Sequence, residues 1–511
     1  MTRSANDYLK SILLSPVYDV AVNSDLQKLD KLSTSLGNDI WLKREDQQAV
    51  KSFKLRGAYN KLSQLSDEQL AKGVVASSAG NHAQARKKGI HATIVMPDTA
   101  PDIKVQAVRD FGGEFVNVVL HGSSFDQAKD EALRLAKEHG YTMVSPFDDE
   151  DVIAGQGTIA RELLEQNPDL DTLFIAVGGG GLIAGISVFL KQLKPELKII
   201  AVESDESACL QAAMLAGKPV PLDHVGIFAD GVAVKIIGEE PFRLCQKYVD
   251  EVMTVNTDEI CAAIKDIFDD TRVIAEPAGA LSVAGIRKYL KANPMQGKKF
   301  AGILCGANIN FHTLRYVSER CELGEQKEAV IAVKIPEQKG AFREFCRLLG
   351  GRSITEFNYR YSTDREAHIF VGIKLREGRK ELAQLTDSLG SNGYNSFDLS
   401  ENEMAKLHVR YMVGGRPPSL LNEKLFSFEF PEHPGALMKF LDTLGERWNI
   451  TLFHYRNHGA AEGLVLAGFD IADADRGEFD THLAKLGYLY QEQTDNPAYK
   501  FFLSDLNGVF E

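Results

Sequence analysis

"TLFIAVGGGGLIAGISVFLKQLK", Thr172 to Lys194, is an apolar, β-branched run that breaks into four consecutive glycines and resumes as a helical pattern. A strand feeding a helix through glycine exposes backbone N–H groups and the positive end of the helix dipole, which together suit a phosphate. The spacing matches neither the G-x-G-x-x-G of dinucleotide folds nor the Lys-Ser/Thr phosphate loop of nucleoside triphosphatases. Taken alone, a tight strand–helix turn is the competing reading.

Outward from this stretch the pattern repeats. Short β-branched runs ("VVAS", "ATIVMP", "FVNVVL", "KIIAVES", "FAGILCGAN") alternate with helical stretches such as "SFDQAKDEALRLAKEHG" and "TDEICAAIKDIFDD" from Val74 to about Cys305. That alternation predicts βαβ units, with mostly parallel sheets and helices on both faces, an α/β fold.

With 511 residues, 44% hydrophobic and 25% charged, the chain has the composition of a soluble protein of two or three domains. A formal charge of -13 gives no attraction for a phosphate backbone or an anionic bilayer, so nucleic acid and membrane partners are not expected. Six cysteines are scattered singly, without CxxC pairs or zinc spacing, and read as reduced thiols. The N-terminus carries neither a signal-peptide nor a transit pattern, and no apolar run spans a bilayer. A cytoplasmic chain is expected.

Two further stretches carry chemistry. In "SFKLRGAYN", Lys54 sits between Phe53 and Leu55 at what reads as a first helical turn. An ammonium in an apolar setting is costly unless it loses its proton or is consumed covalently; a snorkelling lysine with a buried stem is the bland alternative. "SSAGNHAQ", Ser77 to Gln84, follows strand "VVAS" and offers short polar side chains and open N–H groups to a carboxylate, or simply a capped helix start.

Beyond "SERCELGEQKEA" the chain repeats itself. "IPEQKGAFREFCRLLG" (Ile335 to Gly350) aligns with "FPEHPGALMKFLDTLG" (Phe430 to Gly445), and "ITEFNYRY" aligns with "ITLFHYRN", which matches Tyr359 to Tyr455. Each copy reads strand, turn, helix, strand, strand, helix. The period is too long for a solenoid and argues for a duplicated α+β module. The expected boundaries are 1–325 for the first domain, 329–401 and 423–496 for the two modules, and a Gly-Gly and Pro-Pro linker at 402–422.

The lysine in "SFKLRGAYN", then "SAGNH", "GGGGL" and a strand ending in "CGAN" resemble the fold-type II, or β-family, of pyridoxal-phosphate enzymes. Within it the chain is most similar to the biosynthetic threonine dehydratases. The resemblance implies a two-subdomain, parallel-sheet catalytic domain followed by two ACT-like regulatory domains. It implies pyridoxal 5'-phosphate bonded covalently to Lys54. Gly178, Gly179, Gly180, Gly181 and Leu182 would hold the cofactor phosphate. Asn81 would meet the pyridine 3-hydroxyl, and Cys305 the ring nitrogen. Ser78, Ala79, Gly80, Asn81 and His82 would wrap the substrate carboxylate, and Glu276 of "AEPAGAL" would lie near the cofactor.

A thiol, unlike an aspartate, does not hold the ring nitrogen protonated, which favours prompt loss of a β-leaving group over a long-lived carbanion. The implied reaction is deamination of L-threonine to 2-oxobutanoate and ammonia, with Lys54 removing the α-proton and the hydroxyl leaving with help from the cofactor phosphate. The paired modules imply inhibition by isoleucine opposed by valine, with Tyr359 and Tyr455 as effector contacts, and a homotetramer. Related racemases bind a cation at positions resembling Glu203, Ala229 and Asp230; here a structural role for the carboxylates, and no metal, is the expectation.

Two departures from the family pattern stand out. The helix after "AGNHAQ" is about five residues, or about 7.5 Å, shorter than expected, and "GGEFVNVVLHG" is about three residues longer. An L-serine dehydratase, and an amino-acid sensor with a decayed catalytic domain, are the alternatives. A racemase is disfavoured because Ala79 stands where the family's racemases carry a serine able to transfer a proton.

Overall fold

β-branched runs that are buried on both faces form the centre of two parallel sheets. In chain order the strands of the N-terminal half are β1 Leu26–Lys28, β2 Asp39–Arg44, β3 Val74–Ala76, β4 Ala92–Met96, β5 Val116–Leu120, β6 Thr142–Met143, β7 Thr172–Ala176, β8 Lys198–Ser204, β9 Glu251–Val255 and β10 Lys299–Leu304. The six quoted runs are β3, β4, β5, β7, β8 and β10. The computed structural model describes residues 2–511 other than 77–88, 99–101, 123–124, 227, 326, 337, 339, 361–365, 403–404, 407–421, 432–435, 446, 457–461, 497–498 and 500–511. It divides into two units, Met1–Gly324 and Glu325–Glu511.

In the first unit the larger sheet runs β1-β2-β10-β7-β8-β9, parallel except for β1. The smaller sheet runs β5-β4-β3-β6 and is parallel throughout. The helix Pro277–Ala292 packs on β7, β8, β9 and β10; proline at its first position fits a helix start. Three other helices position the site. The lysine helix is Lys54–Ser63, the central helix Glu150–Gln166 and the glycine-loop helix Gly181–Leu193, and the central helix packs against both of the others.

The second unit has β11 Glu328–Pro336, β12 Ile354–Arg360, β13 Glu366–Lys374, β14 Ser396–Asp398, β15 Glu423–Pro431, β16 Asn449–Arg456, β17 Glu462–Asp470 and β18 Leu489–Glu492. The two repeat copies share one antiparallel sheet, ordered β14-β11-β13-β12-β16-β17-β15-β18, with β12 against β16 at the seam. A short fourth strand, β14 or β18, completes each copy and was not read from sequence. Equivalent residues Asn358 and His454 face each other across the seam, flanked by Phe357 opposite Tyr455 and Tyr359 opposite Phe453. The pairing is that of a pseudo-twofold axis through Asn358 and His454. Both copies feed one apolar core, and Phe357 and Phe453 meet edge to face across the seam, 5.7 Å between centroids.

Candidate active site

The carboxyl ends of β2, β10 and β7 carry the residues singled out in the sequence, as expected for a parallel α/β sheet. After β10 the chain continues as Cys305, Gly306 and Ala307, and the segment before the lysine helix pairs with it. Ser52 bridges Gly306, Phe53 N–H donates to Cys305 C=O at 3.2 Å, and Ala307 N–H donates to Lys51 C=O at 3.0 Å. Lys51 takes a left-handed φ of 55° where the chain turns into the helix. Lys54 is the first helical residue, half-buried, and near enough for its charge to act on the Cys305 thiol.

Cys305 is buried, and its Sγ donates to the Ala278 carbonyl at 3.2 Å. Burial first, and the Glu276 carboxylate second, push the thiol up to about 12, opposed by Lys54, so it is neutral at physiological pH. Glu276 caps this corner: its carboxylate accepts from Asn308 N–H at 2.9 Å, and its own N–H donates to Gly306 C=O. A Cβ on Gly306 would stand 2.3 Å from the Glu276 carboxylate, so a larger residue there would push that carboxylate aside.

The tetraglycine loop joins β7 to the glycine-loop helix. Gly180 has φ +89° and precedes the helix without a side-chain cap, so the first-turn N–H groups are not satisfied by a capping side chain. A Cβ on Gly179 would lie 2.2 Å from the Phe147 ring, and one on Gly178 would lie 2.9 Å from Val232 Cα. Gly179 C=O accepts from Gly238 N–H and Gly178 C=O from the Cys209 thiol. Leu182 is buried in the main core, so it can offer the loop only its backbone. Ser78, Ala79, Gly80, Asn81 and His82 lie outside the described residues, as does the shortened helix after His82.

Glu203, wholly buried, accepts from Leu210 N–H at 2.7 Å and Gln211 N–H at 2.8 Å, capping the helix Cys209–Ala216. Burial pushes its carboxyl up to about 7 against those two bonds. Asp230 begins a 3-10 turn that follows buried Ala229. Among the described residues no group of three or more His, Cys, Asp or Glu is placed to hold a metal ion.

In the second unit Tyr359 on β12 is buried and stacks on Phe342, 5.5 Å between centroids with a 10° tilt. Both line a cleft between the repeats, closed on the other side by Leu441, Asn449 and Ile450. Arg343 bonds Asp442 across it at 2.6 Å. Tyr455 on β16 is half-buried beside the same core; Leu437 stands where the first copy has Phe342.

Residues 18–306 match the family model described as pyridoxal-phosphate dependent enzyme. Residues 319–409 and 414–503 match the C-terminal regulatory domain of threonine dehydratase. The biosynthetic L-threonine dehydratase of Pasteurella multocida is 58% identical over 97% of both chains. The chain belongs to the threonine dehydratase family. The family's Escherichia coli member is 56% identical over 98% of this chain and 97% of its own. Among solved structures, processed threonine deaminase isoform 2 of Solanum lycopersicum aligns with TM-score 0.60 and 47% identity, over 62% of this chain and 92% of its own. Maize serine racemase aligns with TM-score 0.57 and 30% identity, over 61% of this chain and 96% of its own.

The dehydratase site fits the family's cofactor. A cradle that a single methyl would fill, at an uncapped helix start, matches a phosphate, and the half-buried Lys54 lies within electrostatic reach of a neutral thiol. The sequence reading missed what supports it. Arg56, two residues after the lysine, is wholly buried between Glu45 (2.8 Å) and Glu162 (2.6 Å), and Lys43 joins Glu162 at 2.6 Å. Its signal was the arginine in "SFKLRGAYN", on a helix whose neighbours are apolar. Phe147, the wall of the cradle, gave no signal because its contact is with the loop's backbone.

Proposed function

We propose that the chain deaminates L-threonine to 2-oxobutanoate and ammonia, the first step of isoleucine biosynthesis. The observation that carries this reading is the pairing of 51–53 with 305–307, which brings Lys54 beside Cys305 at the mouth of the sheet. Pyridoxal phosphate, when bound, supplies the electron sink that acidifies the amino acid's α-C–H bond. The N–H groups of Gly178 to Leu182 hold the phosphate dianion, and the helix dipole favours its charge. Lys54 provides the amine that anchors the cofactor and, once free, takes the α-proton as general base.

With the cofactor bound, the neutral Cys305 thiol would face the ring nitrogen without protonating it, which would favour prompt loss of the β-hydroxyl, as water with a proton passed through the cofactor phosphate, once Lys54 holds the α-proton. Addition of water and release of ammonia then give the oxo acid. Ser78, Ala79, Gly80, Asn81 and His82 orient the substrate carboxylate and cofactor ring.

In this reading residues 1–325 are the catalytic domain, and modules 329–401 and 423–496, joined by 402–422, are regulatory. Isoleucine contacts Tyr359, with Tyr455 at the twofold-related position and valine opposing. It inhibits by binding a low-activity conformation more tightly than the active one. The assembly is a homotetramer in the cytoplasm.

The test is 2-oxobutanoate release from L-threonine by the cofactor-loaded protein, titrated with isoleucine and repeated with L-serine. Turnover of threonine that isoleucine suppresses supports the reading. Serine turnover without threonine turnover would replace it with a serine dehydratase, and an inert protein that binds isoleucine would replace it with a sensor.

A further inference from the structure

The first turn of the lysine helix is held from outside as well as from within. Phe53, its N-cap residue, makes no side-chain cap, and its carbonyl accepts from Arg56 N–H at 3.0 Å, a 3-10 contact. The next N–H, that of Gly57, donates instead to Oε1 of Gln156 on the central helix at 3.1 Å. Gln156 is 2% exposed.

Glycines on either side of Gln156 press the helices together backbone to backbone. A Cβ on Gly155 would stand 2.6 Å from Arg56 C=O, and one on Gly57 would stand 2.7 Å from Val152 C=O. On the far side a Cβ on Gly157 would meet Gly185 C=O at 2.8 Å, and one on Gly185 would meet Ile153 C=O at 2.3 Å. At these glycines the central helix is a close-packed spacer between the helix that starts at Lys54 and the helix that starts at the phosphate cradle.

We propose that Gln156 is a positioning residue. Acting through the Gly57 N–H, it fixes the Lys54 amine relative to the glycine cradle. Without this acceptor the first turn loses its bond to the central helix, and Lys54 is free to move relative to the cradle. A misplacement of about 1 Å at a reacting group costs up to about 100-fold in rate. This inference rests on the role given to Lys54 above.

The test compares Q156L, which removes the acceptor at similar volume, with Q156E, which keeps a carboxyl oxygen in the acceptor position. Gln156→Asn, one methylene too short, replaces Q156L should that variant be insoluble. Three readouts are taken: attachment of pyridoxal phosphate to the apoprotein by absorbance, kcat and KM for L-threonine, and the thermal midpoint. The expected result is a 10- to 100-fold loss of kcat in Q156L, KM within about threefold, at least tenfold slower attachment, and recovery to within about threefold in Q156E.

Parental attachment rate and turnover in Q156L, or equal losses in Q156L and Q156E, would overturn the assignment. The unsubstituted chain separates the two readings. If it does not attach the cofactor through Lys54, the functional reading fails and this one with it. If it does and Q156L matches it, only the role of Gln156 fails.

Discussion

The backbone N–H of Phe53 donates to the carbonyl of Cys305 at 3.2 Å, so the residue before the lysine and the residue after β10 are hydrogen-bonded neighbours. The contact ties two segments about 250 residues apart in the chain, and the site's chemistry follows from the environment it creates. Burial and Glu276 push the Cys305 thiol up to about 12. The thiolate is the reactive form. Cys305 is therefore expected to resist iodoacetamide at pH 8 in the folded protein and to react in urea, which peptide mass mapping checks. Rapid labelling of the folded protein at Cys305 would contradict this environment.

Gly179 leaves no room for a methyl group between the cradle and Phe147. Gly179→Ala is expected to weaken cofactor binding at least tenfold, about 1.4 kcal/mol or more. Adding Phe147→Leu, which clears part of the collision, should recover some of that loss. Equilibrium titration of the apoproteins with pyridoxal phosphate measures both, and no recovery in the double variant would place the damage elsewhere in the loop.

Arg56→Met leaves the Glu45 and Glu162 carboxylates facing each other without the guanidinium that both contact. Breaking a fully buried pair in this way costs roughly 3–5 kcal/mol. A large fall in the urea midpoint of the first unit is expected, with smaller loss in R56M/E45Q, which removes the Glu45 charge while Glu162 keeps its pairing with Lys43.

Glu203 gives a pH signature. Its folded value of about 7 lies above the ordinary 4.5, so between those values the folded state holds a proton that the unfolded chain releases. Its contribution to stability is complete below about pH 4.5, is lost as pH rises through 7, and is on the order of 3 kcal/mol across the window. The thermal midpoint of the parent should decline from pH 5 to 7.5 more steeply than that of Glu203→Gln. Parallel profiles would show that Glu203 does not titrate in this range.

Tyr359 and Tyr455 occupy equivalent positions, but only Tyr359 has the Phe342 ring stacked on it. Phe342→Ala is expected to raise the isoleucine concentration for half-inhibition about tenfold or more while leaving uninhibited kcat within twofold. Leu437→Ala in the second copy should shift it less. Initial rates against isoleucine decide between them.

Much of this was legible in the sequence because burial on both faces writes itself as continuous apolar runs; "TLFIAV" and "KIIAVES", set in alternation with helical stretches, read as strands of a mostly parallel sheet. The short edge strands β14 and β18 were not, since strands such as Leu489–Glu492, exposed at every residue, carry no alternation. The repeat was visible as matched residues, but its joining into one sheet was not, because the β12–β16 pairing involves residues that read the same in an isolated module. At the site, Lys54 and the glycines stood out by residue type. Gln156 did not, because a glutamine between glycines on a helix reads as a solvent-facing side chain until the Gly57 N–H is seen to donate to it.

The most direct test of the central claim is borohydride reduction of the cofactor-loaded protein followed by peptide mapping. The account predicts a single reduced pyridoxyl label, on Lys54, in the peptide containing "SFKLR", and its loss when L-threonine is present before reduction. A label on Lys43, Lys51 or any other lysine, or no label despite bound cofactor, would contradict it.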